Sequence, residues 1–144
     1  MLIGEYTHNI DSKKRFAIPS KFRKELGDKV VITRGLDSCL FLFSMTEWTA
    51  LAEKLGKLSI GQEDTRGFVR LLLSGASEVE IDQLCRILVP DYLKQYSGLK
   101  KKIIVAGLFN RLEIWDEEKW QTYKNNLEKN TDRIAEKLGE IGAI

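Results

Sequence analysis

The stretch DSKKRFAIP at residues 11–19 returns as DQLCRILVP at residues 82–90. Asp11, Arg15 and Pro19 of the first stretch recur as Asp82, Arg86 and Pro90, with one displacement of 71 residues (82 − 11). Such a shared spacing indicates an internal duplication. Duplicated units commonly bury their apolar faces against each other, so we expect a functional site to be present in both copies.

The two copies stay in step beyond the motif. After one inserted residue, VITRGL at 31–36 is expected to match IIVAGL at 103–108, and Trp48 is expected to match Trp120. Alternating apolar residues and turn signals predict the same elements in each copy: a hairpin whose turn is the motif, a helical turn after the proline, and a second hairpin. We therefore expect the copies to interlock around a pseudo-two-fold axis, with the Trp48 and Trp120 helices outside a barrel.

The organisation follows from these elements. We expect one pseudo-symmetric domain over residues 1–144, with a first repeat at 1–58, a linking helix at 59–78 and a second repeat with its C-terminal helix at 79–138. Apolar residues at helical spacing follow Trp48 and Trp120, which is typical of packing faces. A chain of 144 residues can bury a core without disulfides or a metal.

Composition narrows the class of protein. No apolar run approaches the roughly 20 residues that cross a bilayer, so we expect a cytoplasmic protein without a membrane partner. Cys39 and Cys85 have no cysteine or histidine cluster around them, and we interpret both as small apolar residues. The net charge is only +2, but residues 13–24 hold six basic side chains and no acid.

The motif itself has two readings. An aspartate that opens a tight turn accepts hydrogen bonds from nearby backbone N–H groups, which is a structural role for Asp11 and Asp82. A second structural role is that the carboxylate pairs with Arg15 or Arg86 and fixes its guanidinium. The arginines favour a functional reading, because a planar guanidinium suits phosphate oxygens and the O6/N7 edge of guanine. We therefore expect Arg15 and Arg86 to read DNA, with Lys13 and Lys14 on phosphates and Pro19 and Pro90 as structural residues.

Four segments together resemble the bacterial MraZ family. Two of them are the motif stretches at 11–19 and 82–90. The other two are LLLSGASE at 71–78 and VAGLFNRLEIW at 105–115. The resemblance covers nearly the whole chain. It implies an AbrB-like swapped-hairpin β-barrel, because related AbrB-type factors carry one such unit per chain and dimerise to build the same barrel.

The resemblance also implies a function. Members of this family are DNA-binding transcriptional regulators that bind short direct repeats in the promoter of the division and cell wall gene cluster, and they form ring-shaped homo-oligomers. We accordingly expect double-stranded DNA as the partner, nucleoid association, and no cofactor, metal or small-molecule substrate.

This sequence departs from the family pattern at one position in each copy. The family has glycine immediately before the arginine, where this chain has Lys14 and Cys85. Glycine suits a left-handed turn residue, whereas lysine or cysteine in that conformation costs about 1 kcal/mol. Either the turn is remodelled or the strain is tolerated.

Two rival functions remain at this stage. An enzyme could use Asp11 and Asp82 as metal ligands for phosphodiester cleavage, but each acid has an arginine beside it and His8 is the only histidine. We therefore predict that the chain is not an enzyme. The second rival is an antitoxin-type protein-interaction module of the same fold, without base-specific readout.

Overall fold

The computed structural model describes residues 1–144 and has an α+β fold, as predicted. Both copies have the same order of elements up to their first long helix, and α3 links them. A 3-10 turn at Ser20–Phe22 precedes α1. The strands are β1 (Leu2–Asn9), β2 (Arg15–Ala17), β3 (Lys29–Arg34), β4 (Leu40–Ser44), β5 (Ser77–Glu80), β6 (Arg86–Leu88), β7 (Lys102–Phe109) and β8 (Leu112–Asp116); the helices are α1 (Arg23–Leu26), α2 (Met45–Gly56), α3 (Glu63–Ser74), α4 (Asp91–Ser97), α5 (Glu117–Lys129) and α6 (Thr131–Glu140).

The strands form two antiparallel sheets. Six of them pair in the order β1-β7-β8-β4-β3-β5, and β2 pairs with β6 in a separate two-stranded ribbon. If each strand is replaced by its counterpart in the other copy, the six-stranded order becomes the same order in reverse. This is the pattern that a pseudo-two-fold axis produces. Four of the six strand pairings, β1–β7, β3–β5, β4–β8 and β2–β6, join one copy to the other. The two copies therefore interlock.

This pairing corrects one expectation and leaves another unconfirmed. The motif does not close a local hairpin, because β1 pairs with β7 and β2 pairs with β6. Strand β1 has eight residues and pairs along its full length with β7, whereas β2 has only three residues and could pair with part of β1 at most. The expected barrel is not confirmed, since the six-stranded sheet is open, with β1 and β5 at its edges.

The strand ladders also correct the predicted alignment of the copies. His8 lies opposite Ile103, and Val79, its counterpart in the second copy, lies opposite Val30. Val30 is therefore the counterpart of Ile103, whereas the sequence match assigned Val31. A slip of one residue moves every side chain of a strand to the other face of the sheet. Val30 and Ile103 do share a face, since both lie in the main core.

The main core lies between the six-stranded sheet and the β2–β6 ribbon. Phe16 and Ile87 face each other across the ribbon and are 1% and 0% exposed. They pack with sheet residues such as Ile32 and Val105. The inner face of the ribbon is thus packed against the sheet, and its outer face carries the remaining side chains of β2 and β6.

A second cluster occupies the opposite face of the sheet. The ring centroids of Trp48 and Phe43 are 5.7 Å apart, and those of Trp120 and Trp115 are 5.3 Å apart. The helices that carry Trp48 and Trp120 therefore pack on the outside of the sheet, as the apolar spacing predicted. Cys39 is buried in this cluster, and burial raises the pKa of its thiol.

Helices lie between the two copies and after the second. The linking helix α3 lies within the predicted linking segment 59–78, and Ser77 begins β5. The C-terminal helical region is two helices, α5 and α6, with Asn130 between them. None of the helices combines the length and apolar character needed to span a membrane.

Candidate nucleic-acid interface

Each copy of the motif forms the same compact turn, which we call motif loop 1 (residues 11–15) and motif loop 2 (residues 82–86). In loop 1 the Asp11 carboxylate accepts hydrogen bonds from the backbone N–H groups of Lys13 at 2.8 Å and Arg15 at 2.9 Å. Its second oxygen accepts one from Nε of Arg15 at 3.0 Å. One aspartate thus fixes both the turn and the arginine that follows it.

Loop 2 repeats this arrangement closely. The Asp82 carboxylate accepts from the backbone N–H groups of Leu84 at 2.9 Å and Arg86 at 2.8 Å, and from Nε of Arg86 at 2.9 Å. In both loops the backbone hydrogen bond from the fourth residue to the aspartate carbonyl is 3.0 Å long. The repeated sequence spacing therefore corresponds to a repeated geometry.

These contacts change the acidity of both aspartates. The backbone hydrogen bond from Arg15 is the main cause that lowers the pKa of Asp11, and the bond from Arg86 has the same effect on the pKa of Asp82. Hydrogen bonds to a carboxylate stabilise its charged form. Both aspartates are therefore ionised at neutral pH and hold the adjacent guanidinium groups by charge-assisted bonds.

The fourth residue of each loop adopts a left-handed backbone. Lys14 has φ +62° and Cys85 has φ +59°. These are the two positions at which the sequence departs from the expected glycine. The turn is not remodelled, so the chain tolerates the strain of a left-handed lysine and a left-handed cysteine, each at a cost of about 1 kcal/mol.

Arg15 and Arg86 leave the ribbon on the same side. Phe16 and Ile87 point into the core, and successive residues of a strand point to opposite faces, so the adjacent Arg15 and Arg86 point away from the core. The Arg15 and Arg86 side chains are 29% and 30% exposed, and only their Nε atoms are hydrogen-bonded. The two Nη nitrogens of each guanidinium are free to bind a ligand on the outer face.

The two predicted phosphate-binding lysines have different surroundings. Lys13 is exposed at the tip of loop 1 and its ammonium has no carboxylate partner. Lys14 forms a salt bridge with Asp91 at the start of α4. The structure therefore leaves Lys13 open to a ligand, whereas Lys14 would have to leave Asp91 to reach a phosphate.

Pro19 and Pro90 lie where β2 and β6 give way to helical turns. The Pro19 carbonyl accepts from Phe22 N–H at 2.9 Å, and the Pro90 carbonyl accepts from Leu93 N–H at 3.1 Å. The prolines occupy the N-cap positions of the 3-10 turn and of α4. Phe22 and Leu93 are both buried, so each turn is anchored in the core.

One residue next to the motif was missed from the sequence. The Nη1 of Arg23 donates to the Asp82 carbonyl at 2.7 Å, and its Nη2 donates to Asp28 at 2.9 Å and to the Ile81 carbonyl at 3.3 Å. Arg23 thus clamps loop 2 from α1 of the other copy. The basic run at 13–24 contained this residue, but nothing local in the sequence marked it as a partner of loop 2.

The aspartates are not arranged as a metal site. Asp11 and Asp82 each bind their own arginine, and no three histidine, cysteine, aspartate or glutamate side chains are placed to share one metal ion. His8 lies in β1 opposite Ile103, and burial lowers its pKa.

Comparison with known protein families finds the duplication in the sequence. A family model described as "MraZ protein, putative antitoxin-like" matches the chain twice, at residues 1–71 and 72–139. The chain belongs to the MraZ family. The two consecutive matches divide it within α3, between the two copies of the motif.

Curated MraZ proteins resemble the chain over its full length. The protein named transcriptional regulator MraZ from Caldicellulosiruptor saccharolyticus is 46% identical over 142 residues, covering 99% of each chain. Proteins of the same name from Clostridium tetani and Alkaliphilus metalliredigens are 48% and 46% identical with the same coverage. The match therefore includes both motif loops and the flanking helices.

Proposed function

We propose that this chain is a sequence-specific DNA-binding transcriptional regulator without catalytic activity. The observation that carries the proposal is the pair of arginines on one outer face, each with its Nε held by an aspartate and its Nη groups free. A guanidinium oriented in this way can donate two hydrogen bonds to O6 and N7 of guanine in the major groove. The name transcriptional regulator, borne by relatives with 46–48% identity, supports this reading.

The targets that we propose are short direct repeats in the promoter of the division and cell wall gene cluster, bound in the cytoplasm at the nucleoid. We further propose that copies of the chain assemble into a closed ring. The sheet offers two open edges, β1 and β5, on opposite ends of a pseudo-symmetric protomer. Contacts between unlike surfaces of successive protomers close into a ring when the rotation between protomers permits it.

A second candidate function is an antitoxin-type module that binds a protein. The description of the matched family as antitoxin-like supports this second candidate function. The two functions differ in their response to salt, because phosphate binding releases condensed counterions and therefore weakens steeply as ionic strength rises. A largely apolar protein interface responds weakly to the same change.

The test is footprinting of the purified full-length protein on the DNA upstream of its own coding sequence. We expect protection repeated at a short regular interval, and affinity that falls steeply between about 50 and 200 mM salt. Uniform protection, or equal affinity for a scrambled duplex, would exclude sequence-specific readout. Light scattering at micromolar concentration tests the ring, and a monomer alone would contradict it.

A further inference from the structure

We propose that the two motif loops contact DNA unequally: Lys13, Lys94 and Lys101 around loop 1 bind backbone phosphates, and the surroundings of loop 2 do not. This inference rests on the proposed DNA-binding function and assigns two phosphate-binding residues, Lys94 and Lys101, outside the motif. It concerns only how the charge is distributed between two otherwise matching loops.

Helix α4 and the chain that joins it to β7, both distant in sequence from loop 1, bring lysines beside it. A shallow open groove beside the loop is lined by Ile10, Asp11, Ser12, Lys94, Lys100 and Lys101. The backbone holds this arrangement, because the Lys101 carbonyl accepts the N–H of Ile10 at 2.8 Å. Lys13 extends from the tip of the same loop.

Three of these ammonium groups are free. Lys14 is paired with Asp91, and Lys100 is paired with Glu118 at 3.4 Å. Lys13, Lys94 and Lys101 have no carboxylate partner within salt-bridge distance. The Asp11 carboxylate, which is the nearest acid to the groove, is already bonded to Arg15. The net local charge of loop 1 is therefore positive and available to an anion.

Loop 2 has no equivalent set of free charges. Leu84 and Cys85 stand where loop 1 has Lys13 and Lys14, and Leu84 is 67% exposed. Arg23 occupies the position of Lys94, but its guanidinium is bonded to Asp28 and to two carbonyls of the chain around loop 2. The basic side chain beside loop 2 is thus used to hold the loop.

An insertion in the second copy supplies part of the difference. Gly98 follows its counterpart Gly27 by 71 residues (98 − 27), whereas Ile103 follows Val30 by 73 (103 − 30). The second copy therefore has two extra residues between α4 and β7. This segment contains Lys100 and Lys101, which lie against loop 1.

Unequal loops divide the tasks of DNA binding. Phosphate contacts position a protein on the duplex but carry no sequence information. The free lysines beside loop 1 would therefore add affinity for any duplex, while Arg15 and Arg86 would read the bases.

The test measures affinity for the footprinted upstream duplex as a function of salt for wild type and four single variants of the full chain. Lys13→Gln, Lys94→Gln and Lys101→Gln each remove one free charge beside loop 1. Lys29→Gln is the matched control, because Lys29 is exposed and is already paired with Glu78 at 3.4 Å. Lys29 follows Asp28, whose carbonyl accepts the N–H of Ile81 immediately before loop 2. All four side chains lie outside the core, and thermal melts check that each variant folds.

We expect each loop 1 variant to reduce the slope of log K against log salt by about 0.9 for every phosphate that the variant no longer neutralises. The reduction should be similar on operator and scrambled DNA, and Lys29→Gln should behave like wild type. A wild-type slope in Lys94→Gln and Lys101→Gln, or an equal reduction in Lys29→Gln, would overturn the inference while leaving DNA binding intact. Failure of wild type to bind any duplex would instead reject the proposed function.

Discussion

Arg15 and Arg86 are diagonal neighbours on the outer face of the β2–β6 ribbon. Arg15 lies opposite Leu88, and Arg86 lies opposite Ala17, two residues further along the ladder. The backbone positions of diagonal neighbours in an antiparallel pair are about 7–8 Å apart. This spacing is close to two steps of about 3.4 Å along one strand of DNA. The two guanidinium groups carry like charges that repel each other, and the carboxylates of Asp11 and Asp82 offset that repulsion.

The first prediction concerns base readout by these two arginines. Arg15→Ala and Arg86→Ala should each weaken binding of the upstream duplex by about 1–3 kcal/mol and reduce its preference over scrambled DNA. Arg15→Lys is the control that keeps the charge but loses the planar fork, so preference should fall while the salt slope stays close to wild type. Variants that fold, assemble and retain full preference would show that the motif is structural.

The second prediction concerns acid stability. The pKa values of Asp11 and Asp82 are lowered in the fold, so the native state binds these protons more weakly than the unfolded chain. Their contribution to stability is therefore present above the ordinary aspartate pKa of about 3.9 and is lost as pH falls below it. Urea unfolding at pH 7 and pH 3 measures the loss. Asp82→Asn should be less stable than wild type at pH 7 and should differ less from it at pH 3; an equal difference at both pH values would contradict the assignment.

The third prediction concerns the left-handed residue of loop 1. Lys14→Gly should be more stable than Lys14→Ala by about 1 kcal/mol, because glycine adopts φ +62° without the steric cost that alanine retains. Both variants lose the Lys14–Asp91 salt bridge, so the comparison isolates the backbone effect. Chemical denaturation measures it. Ser12→Gly, at a position without positive φ, should lower stability; a gain there equal to that at position 14 would exclude the strain explanation.

The fourth prediction concerns a close backbone approach in the β1–β7 ladder. Gly107 lies opposite Gly4, and a Cβ at Gly107 would be 2.6 Å from the backbone nitrogen of Ile3. Gly107→Ala should therefore cost about 1–3 kcal/mol, since backbone cannot move aside cheaply. Gly67→Ala is the control: Gly67 lies within α3 with nothing near its Cβ position, and alanine should stabilise the helix by about 1 kcal/mol. Thermal unfolding distinguishes the two directions.

The local elements were predictable from the sequence because their causes are local. The Asp-x-x-x-Arg spacing predicted a turn that fixes an arginine, and the apolar spacing after Trp48 and Trp120 predicted helices that pack on the sheet. The departure from glycine at Lys14 and Cys85 located two of the five non-glycine residues that have a left-handed backbone. Each of these features depends on residues a few positions apart.

The long-range features were not predictable for the same reason. Nothing near β1 indicates that its partner is β7 rather than β2, since both choices bury alternating residues. The match of Gly35 with Gly107 placed the β3 and β7 strands one residue out of register, because two glycines with different roles were aligned. The Arg23 clamp joins residues 59 positions apart, and only the interlocked pairing of the copies brings them together.

The last prediction concerns that clamp. Arg23 donates to the Asp82 and Ile81 carbonyls, so Arg23→Gln should loosen loop 2 and leave loop 1 unchanged. Amide hydrogen exchange measures local opening. We expect faster exchange at the N–H groups of Leu84 and Arg86, which donate to the Asp82 carboxylate, and no change at the equivalent amides of loop 1. Lys94→Gln is the matched control, because Lys94 holds the same position beside loop 1 without hydrogen-bonding to it, and its replacement should change exchange in neither loop. Unchanged protection of loop 2 in Arg23→Gln would show that Asp82 alone maintains the turn.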